Sequence, residues 1–129
     1  MPLLMYLPLL AYPPLTELFH ELDTRLPHGF YRIPSLVATP NGSLLAFVMG
    51  RLQRTDLTPN IVYMRRSVDD GATWAPAVPL LQDPTNRTEY DGAPVVDPTT
   101  GTIHYMHQQM VFGSRNCSAC VLWQCSSTE

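Results

Sequence analysis

Short apolar runs alternate with polar and turn-forming residues along most of the chain. Leu44 to Met49, Ile61 to Met64, Ala77 to Leu81 and Val121 to Trp123 are such runs, with proline, glycine, asparagine or charged residues around them. Apolar runs this short, broken by turn signals, read as strands. Thirteen prolines punctuate the chain, which favours strands and turns over long helices. The pattern predicts strands near 32–39, 43–50, 60–67 and 76–81, then near 93–97, 102–109 and 118–125.

The pattern also repeats. Gly42 recurs as Gly101, 59 positions on, and the same offset carries Leu36-Val37 onto Val95-Val96 and Val62-Tyr63-Met64 onto Val121-Leu122-Trp123. Each unit reads strand, turn, strand, loop, strand, and the first runs on into a fourth strand. Four strands per unit of roughly 40–50 residues or more is the signature of a β-propeller blade. The expected fold class is therefore all-β, a β-propeller of which this chain holds about 1.7 four-stranded blades. A closed propeller needs at least about four blades, so the chain alone is expected to be marginal or aggregation-prone.

Composition narrows the function classes. Only 15% of residues are charged but 45% are hydrophobic, which excludes a disordered tail. A net charge of −3 leaves no electrostatic case for nucleic acid. No apolar run is long enough for a membrane span. Residues 1–17 are apolar and proline-broken; they read either as a signal peptide, although no Lys or Arg precedes Arg25, or as an edge strand on a domain spanning 18–129. Sequons begin at Asn41, Asn86 and Asn116, which tilts the reading toward the secretory route. Cys117, Cys120 and Cys125 are an odd number of thiols, so a disulfide would leave one unpaired. His104 and His107 precede them, but residues three apart on a strand face opposite sides; no metal site and no cofactor are expected.

Candidate chemistry sits at one end of the first hairpin. Asn41-Gly42 is a strong signal for a two-residue type I′ turn. That turn pairs Pro40 with Ser43 and sets Arg32 directly opposite Arg51. Opposed residues share a face, and two guanidinium groups side by side are destabilising unless an anion lies between them. The planar fork of arginine suits a carboxylate. The alternative is a pair of solvated surface arginines, with Pro34 or a bulge shifting the register. Asp56 lies in the long loop after Arg51, at the same end, where a carboxylate beside a cationic site can serve as general acid/base; the alternative is a solvated loop aspartate. Ser67-Val68-Asp69-Asp70-Gly71-Ala72-Thr73-Trp74 falls at the opposite end. It reads as a structural turn, with Asp69 or Asp70 bonding turn amides, Gly71 supplying the unusual φ and Trp74 packing beneath.

These segments resemble a known family. Ser67, Asp69, Gly71, Thr73 and Trp74 form the S-x-D-x-G-x-T-W pattern called the Asp box. Preceded by Tyr31-Arg32-Ile33-Pro34, Arg51 and Asp56 in that order, it resembles the start of a sialidase (neuraminidase), over roughly Leu18 to Glu129. The wording of Thr39 to Phe47 and of Met64 to Ser67 is closest to the animal lysosomal type. The resemblance implies a six-bladed propeller and an exo-α-sialidase that removes terminal sialic acid from glycans, of which this chain would be the N-terminal portion.

By the same resemblance Arg32 belongs to the triad that grips the sialic acid carboxylate, Arg51 supports that carboxylate and the loop, and Asp56 is the general acid/base. Tyr90 and Asp91 fall where relatives line the pocket. The family's nucleophilic tyrosine, its activating glutamate and the other two triad arginines belong to later blades, so this portion alone is expected to be inactive. The implied partners are sialylated glycoproteins, glycolipids and oligosaccharides, with a protein partner such as lysosomal relatives use. The implied location is the secretory pathway, lysosomal or extracellular. Two other readings stay open: a non-catalytic Asp-box propeller that binds glycan or protein, and an inactive truncated product. Leu57-Thr58-Pro59 after Asp56, and Thr128 in place of the second unit's box aspartate, depart from the family pattern.

Overall fold

A computed structural model of the chain describes residues 15–20, 26, 29–55, 58–81, 87–111 and 121–127. Among these residues the secondary structure is entirely β. Strands β1 (Phe30–Ala38), β2 (Leu44–Arg51), β3 (Asn60–Ser67) and β4 (Val78–Leu81) form one antiparallel sheet in chain order, and β5 (Arg87–Val96), β6 (Ile103–Val111) and β7 (Val121–Ser127) form a second. Six strands fall close to where the apolar runs predict them, whereas β5 begins at Arg87, six residues before the expected 93–97. The described strands of the second sheet follow the order of the first three strands of the first.

β2 is buried from Leu45 through Arg51, because both of its faces are covered. On one face Leu45, Phe47, Val62 and Tyr105 form a cluster joined by Val37, Met64 and Ile103. This is the seam between the sheets: the rings of Phe47 and Tyr105 lie 4.9 Å apart, and β5 packs against β1 and β3. On the other face Val48, Ile61 and Tyr63 are buried beneath Phe19, Leu26 and Tyr31. Phe19 and Tyr31 are 5.6 Å apart, and the Arg65 guanidinium lies 5.6 Å from the Phe19 ring. At the seam Gly92 is required by close approach, since a methyl group there would overlap the Tyr105 ring and the Met106 carbonyl.

The first hairpin differs from expectation. Thr39, not Pro40, pairs with Ser43: the Thr39 amide donates to the Ser43 carbonyl at 2.9 Å, and the Gly42 amide to the Thr39 carbonyl at 2.9 Å. The loop is therefore three residues, Pro40-Asn41-Gly42, with Gly42 at φ 82° and Asn41 outside the positive-φ region. This is a type I turn closed by a glycine bulge rather than a type I′ turn. The physical reason is Pro40. It has no N–H to close the hairpin, while its fixed φ suits the second position of a type I turn.

A second irregularity follows within β1. Ser35 opposes Phe47, but Arg32 opposes Met49, so Ile33 and Pro34 together face a single residue of β2. β5 breaks its ladder with β6 at the corresponding place, between Tyr90 and Gly92.

Candidate functional site

The open end of the first hairpin gathers cationic side chains. β1 begins with Phe30 opposite Arg51 and Arg32 opposite Met49. The expectation that Arg32 stands directly opposite Arg51 is thus corrected, because the three-residue turn and the bulge each displace the register by one residue. Alternation places Phe30, Arg32, Met49 and Arg51 on one face. The two arginines are diagonal neighbours, a spacing of about 7–8 Å between backbones that long side chains span. Arg51 is 4% exposed, whereas Arg32 is exposed. A groove beside β1 is lined by Tyr31, Arg32, Pro34, Ser35 and Leu36.

The loop after Arg51 starts in the open and returns buried. Leu52 to Thr55 are exposed, while Thr58 and Asn60 are 3% and 5% exposed. With its amide nitrogen turned toward the chain, Asn60 donates to the Thr58 carbonyl at 2.9 Å and the Pro59 carbonyl at 3.2 Å, anchoring the loop's return. Arg54, not singled out from the sequence, lies with its guanidinium 5.3 Å from the Phe30 ring. Three arginines on adjoining segments suit an anionic ligand. Asp56 lies outside the described residues. Tyr90 and Asp91 are in β5 at the bulge, Tyr90 opposite Gln108 and Asp91 unpaired in the ladder; their side chains are outside the description.

The opposite end of the same sheet is built differently. Ser67, opposite Leu44, starts a turn whose polar groups bond one another. The Ser67 hydroxyl donates to Asp69 Oδ1 at 2.8 Å and accepts from the Gly71 amide at 2.9 Å. Asp69 Oδ1 accepts from the Thr73 amide at 2.8 Å, and its second oxygen accepts the Thr73 hydroxyl. The Trp74 indole donates to the Gly71 carbonyl at 3.0 Å. Gly71 holds φ 86° and Asp70 φ 56°. Of the two aspartates it is Asp69 that bonds the turn, and the Thr73 hydroxyl, the Thr73 amide and the Ser67 hydroxyl hold its carboxyl below the usual carboxylate range.

Asn41 is exposed at the hairpin tip on this far end, and its sequon hydroxyl, Ser43 Oγ, accepts from Arg66 Nη2 at 2.9 Å. Asn86, Asn116 and the cysteines before β7 lie outside the described residues. His107 is 5% exposed and stacked on Tyr105, their ring centres 6.3 Å apart. No group of three metal-binding side chains occurs among the described residues, and no helix among them is long and apolar enough to cross a membrane.

Two successive antiparallel sheets of one repeated unit, packed face to face, define part of a β-propeller. No protein-family model matches the chain. It is similar to a sialidase of Micromonospora viridifaciens, 40% identical over 81 residues, which is 60% of this chain and 12% of that protein. In structure it is similar to the Hadza microbial sialidase Hz136, with a TM-score of 0.67 and 27% identity over 75% of this chain and 23% of that one. The chain spans less than a quarter of the length of either relative. The fold is that of a sialidase β-propeller, of which the chain covers a part.

Proposed function

We propose that the chain is the part of an exo-α-sialidase that carries the first arm of the carboxylate clamp and the acid/base loop, within a six-bladed propeller of the animal lysosomal type. The observation that carries this reading is the pair Arg32 and Arg51 on one face at one end of the first blade, in a chain similar to sialidases.

In this reading Arg32 forks onto the sialic acid carboxylate, and buried Arg51 supports it from the diagonal position. Asp56 gives a proton to the glycosidic oxygen as the bond to the aglycone breaks, then takes one from the incoming water. Tyr90 and Asp91 meet the glycerol or N-acyl arm. The nucleophile, a tyrosine in this family and an exception to the two-carboxylate rule, comes from outside this chain, so the chain alone binds weakly and does not turn over. The substrates are sialylated glycoproteins, glycolipids and oligosaccharides. The protein works in the secretory pathway, lysosome or extracellular space, with a protein partner as lysosomal relatives have.

The test is hydrolysis of a fluorogenic α-sialoside by the full propeller polypeptide encoded with this chain. Release of sialic acid that Arg32→Ala reduces severely supports the reading. Unchanged kinetics in that variant would sink it, and a messenger that ends at the Glu129 codon would remove the catalytic half of the proposal.

A further inference from the structure

Ile33 stands at φ 53°. That region is costly for any β-branched residue, and Pro34 restricts its predecessor to extended backbone as well. Ile33 is also 43% exposed, so it gains little of its own from this conformation. Its neighbours on the N-terminal side show what offsets the strain.

Beside the turn, β1 runs with Ser35 opposite Phe47. Continued without interruption, that register would set Arg32 opposite Gly50 and Tyr31 opposite Arg51. A one-residue slip reverses every side chain. Tyr31 would leave the cluster of Val48, Ile61 and Tyr63, and Arg32 would turn into that apolar face, away from Arg51. The two-against-one pairing of Ile33 and Pro34 with β2 prevents both. Tyr31 keeps its place, 5.6 Å from the Phe19 ring and 6.3 Å edge-on from Tyr63.

We propose that Tyr31 is a positioning residue for Arg32: its packing against Phe19 and Tyr63 holds the strained bulge at Ile33, and the bulge turns Arg32 onto the face of Arg51. The inference deepens the proposed function by saying what aims the carboxylate clamp. It requires an energetic link between Tyr31 and Ile33. Without the Tyr31 ring the strain at Ile33 is no longer offset, and β1 relaxes into the uninterrupted register. With glycine at position 33 the left-handed conformation costs little, and the bulge survives loss of the ring.

Two readouts test this separately. The first is register. In a background with Cys117, Cys120 and Cys125 replaced by serine, Arg32→Cys with Met49→Cys places two thiols on directly opposed residues, within disulfide reach. The disulfide is expected to form with Tyr31 or Tyr31→Phe present, to be lost with Tyr31→Ala, and to return with Tyr31→Ala plus Ile33→Gly. The second is binding of a methyl α-sialoside, compared with its carboxamide, by the full propeller polypeptide with Arg32 intact. Tyr31→Ala is expected to weaken carboxylate binding about 30-fold or more, to the level of Arg32→Ala, with Ile33→Gly restoring it and the carboxamide affected little.

A disulfide that persists in Tyr31→Ala, or one that Ile33→Gly fails to restore, overturns the proposal. Because Ile33→Gly also relieves strain for the fold as a whole, the variants are compared by melting temperature. General destabilisation by Tyr31→Ala would be offset equally by a stabilising change remote from β1, and the register only by Ile33→Gly. Should the unaltered protein bind no sialoside, the proposed function fails, and the disulfide pattern alone still decides whether Tyr31 sets the register.

Discussion

The two ends of the first sheet make a natural contrast. At the Ser67 end the turn's polar groups are matched to one another. Two hydroxyls, one carboxylate, two amides, an indole N–H and the Gly71 carbonyl bond one another, and the left-handed positions include a glycine, Gly71. At the Phe30 end Arg32, Arg51 and Arg54 collect on adjoining segments, and the left-handed residue is Ile33, which suits that conformation poorly. A self-satisfied turn is a device for stability. Local strain costs stability, and it persists where an external ligand or a catalytic geometry requires it.

On the proposed reading the largest effect is expected at Asp56. Replacing it with alanine should lower turnover of the full propeller polypeptide by about 10²–10⁴-fold while leaving substrate binding nearly intact, measured by steady-state kinetics. Arg32→Ala should act on binding instead, at about 2–5 kcal/mol for removing a charged partner from the carboxylate. Neither change should lower the melting temperature. A large thermal shift in either would mean that the Phe30 end, like the other, is built for stability.

The inverse holds at the Ser67 end. Ser67 is 2% exposed, and Ser67→Ala removes the acceptor of the Gly71 amide and one of the two hydrogen bonds to Asp69 Oδ1, which keeps the Thr73 amide. It should cost about 1–3 kcal/mol of unfolding free energy, measured by denaturant titration, with kcat and KM unchanged per folded molecule. Gly71→Ala should cost about 1–2 kcal/mol, because φ 86° crowds Cβ against the following carbonyl. Loss of activity beyond the folded fraction in either variant would tie this turn to the site.

The same contrast explains what could be read from the sequence. The strands, the repeat and the Ser67–Trp74 turn were legible because each depends on neighbours a few residues apart. The face that Arg32 shares with Arg51 was also anticipated, but by a route that the structure replaces. A type I′ turn would have set the two directly opposite. Pro40 lengthens the loop by one residue, which alone would turn Arg32 away, and the bulge at Ile33 and Pro34 shifts it once more and turns it back. The first shift has a local cause in Pro40, whereas the second depends on Tyr31 meeting Phe19 and Tyr63 across the fold. Arg54 over Phe30 and the buried return of the loop at Thr58 and Asn60 are tertiary in the same way.

The smallest expected difference between the ends is in acid. The carboxyl of Asp69 titrates below the usual range because the folded turn donates to its charged form, chiefly through Thr73; Asp97 is lowered in the same direction, chiefly by the Thr99 amide. In the unfolded chain both carboxyls revert to ordinary values near about 4. The unfolded state therefore binds protons first as the pH falls. The stabilisation from these groups is complete above about pH 5 and is lost progressively as the pH drops through their folded values. Asp69→Asn keeps the shape of the side chain without a titrating carboxylate. It should lower stability at neutral pH slightly and flatten the acid limb of a stability–pH curve below about pH 4. The effect is modest because the group is open to solvent, where screening weakens it. An acid limb as steep in the variant as in the parent would mean that the hydrogen bonds of this turn do not distinguish the charged carboxylate from the neutral one, and the contrast between the two ends would then rest on the arginines alone.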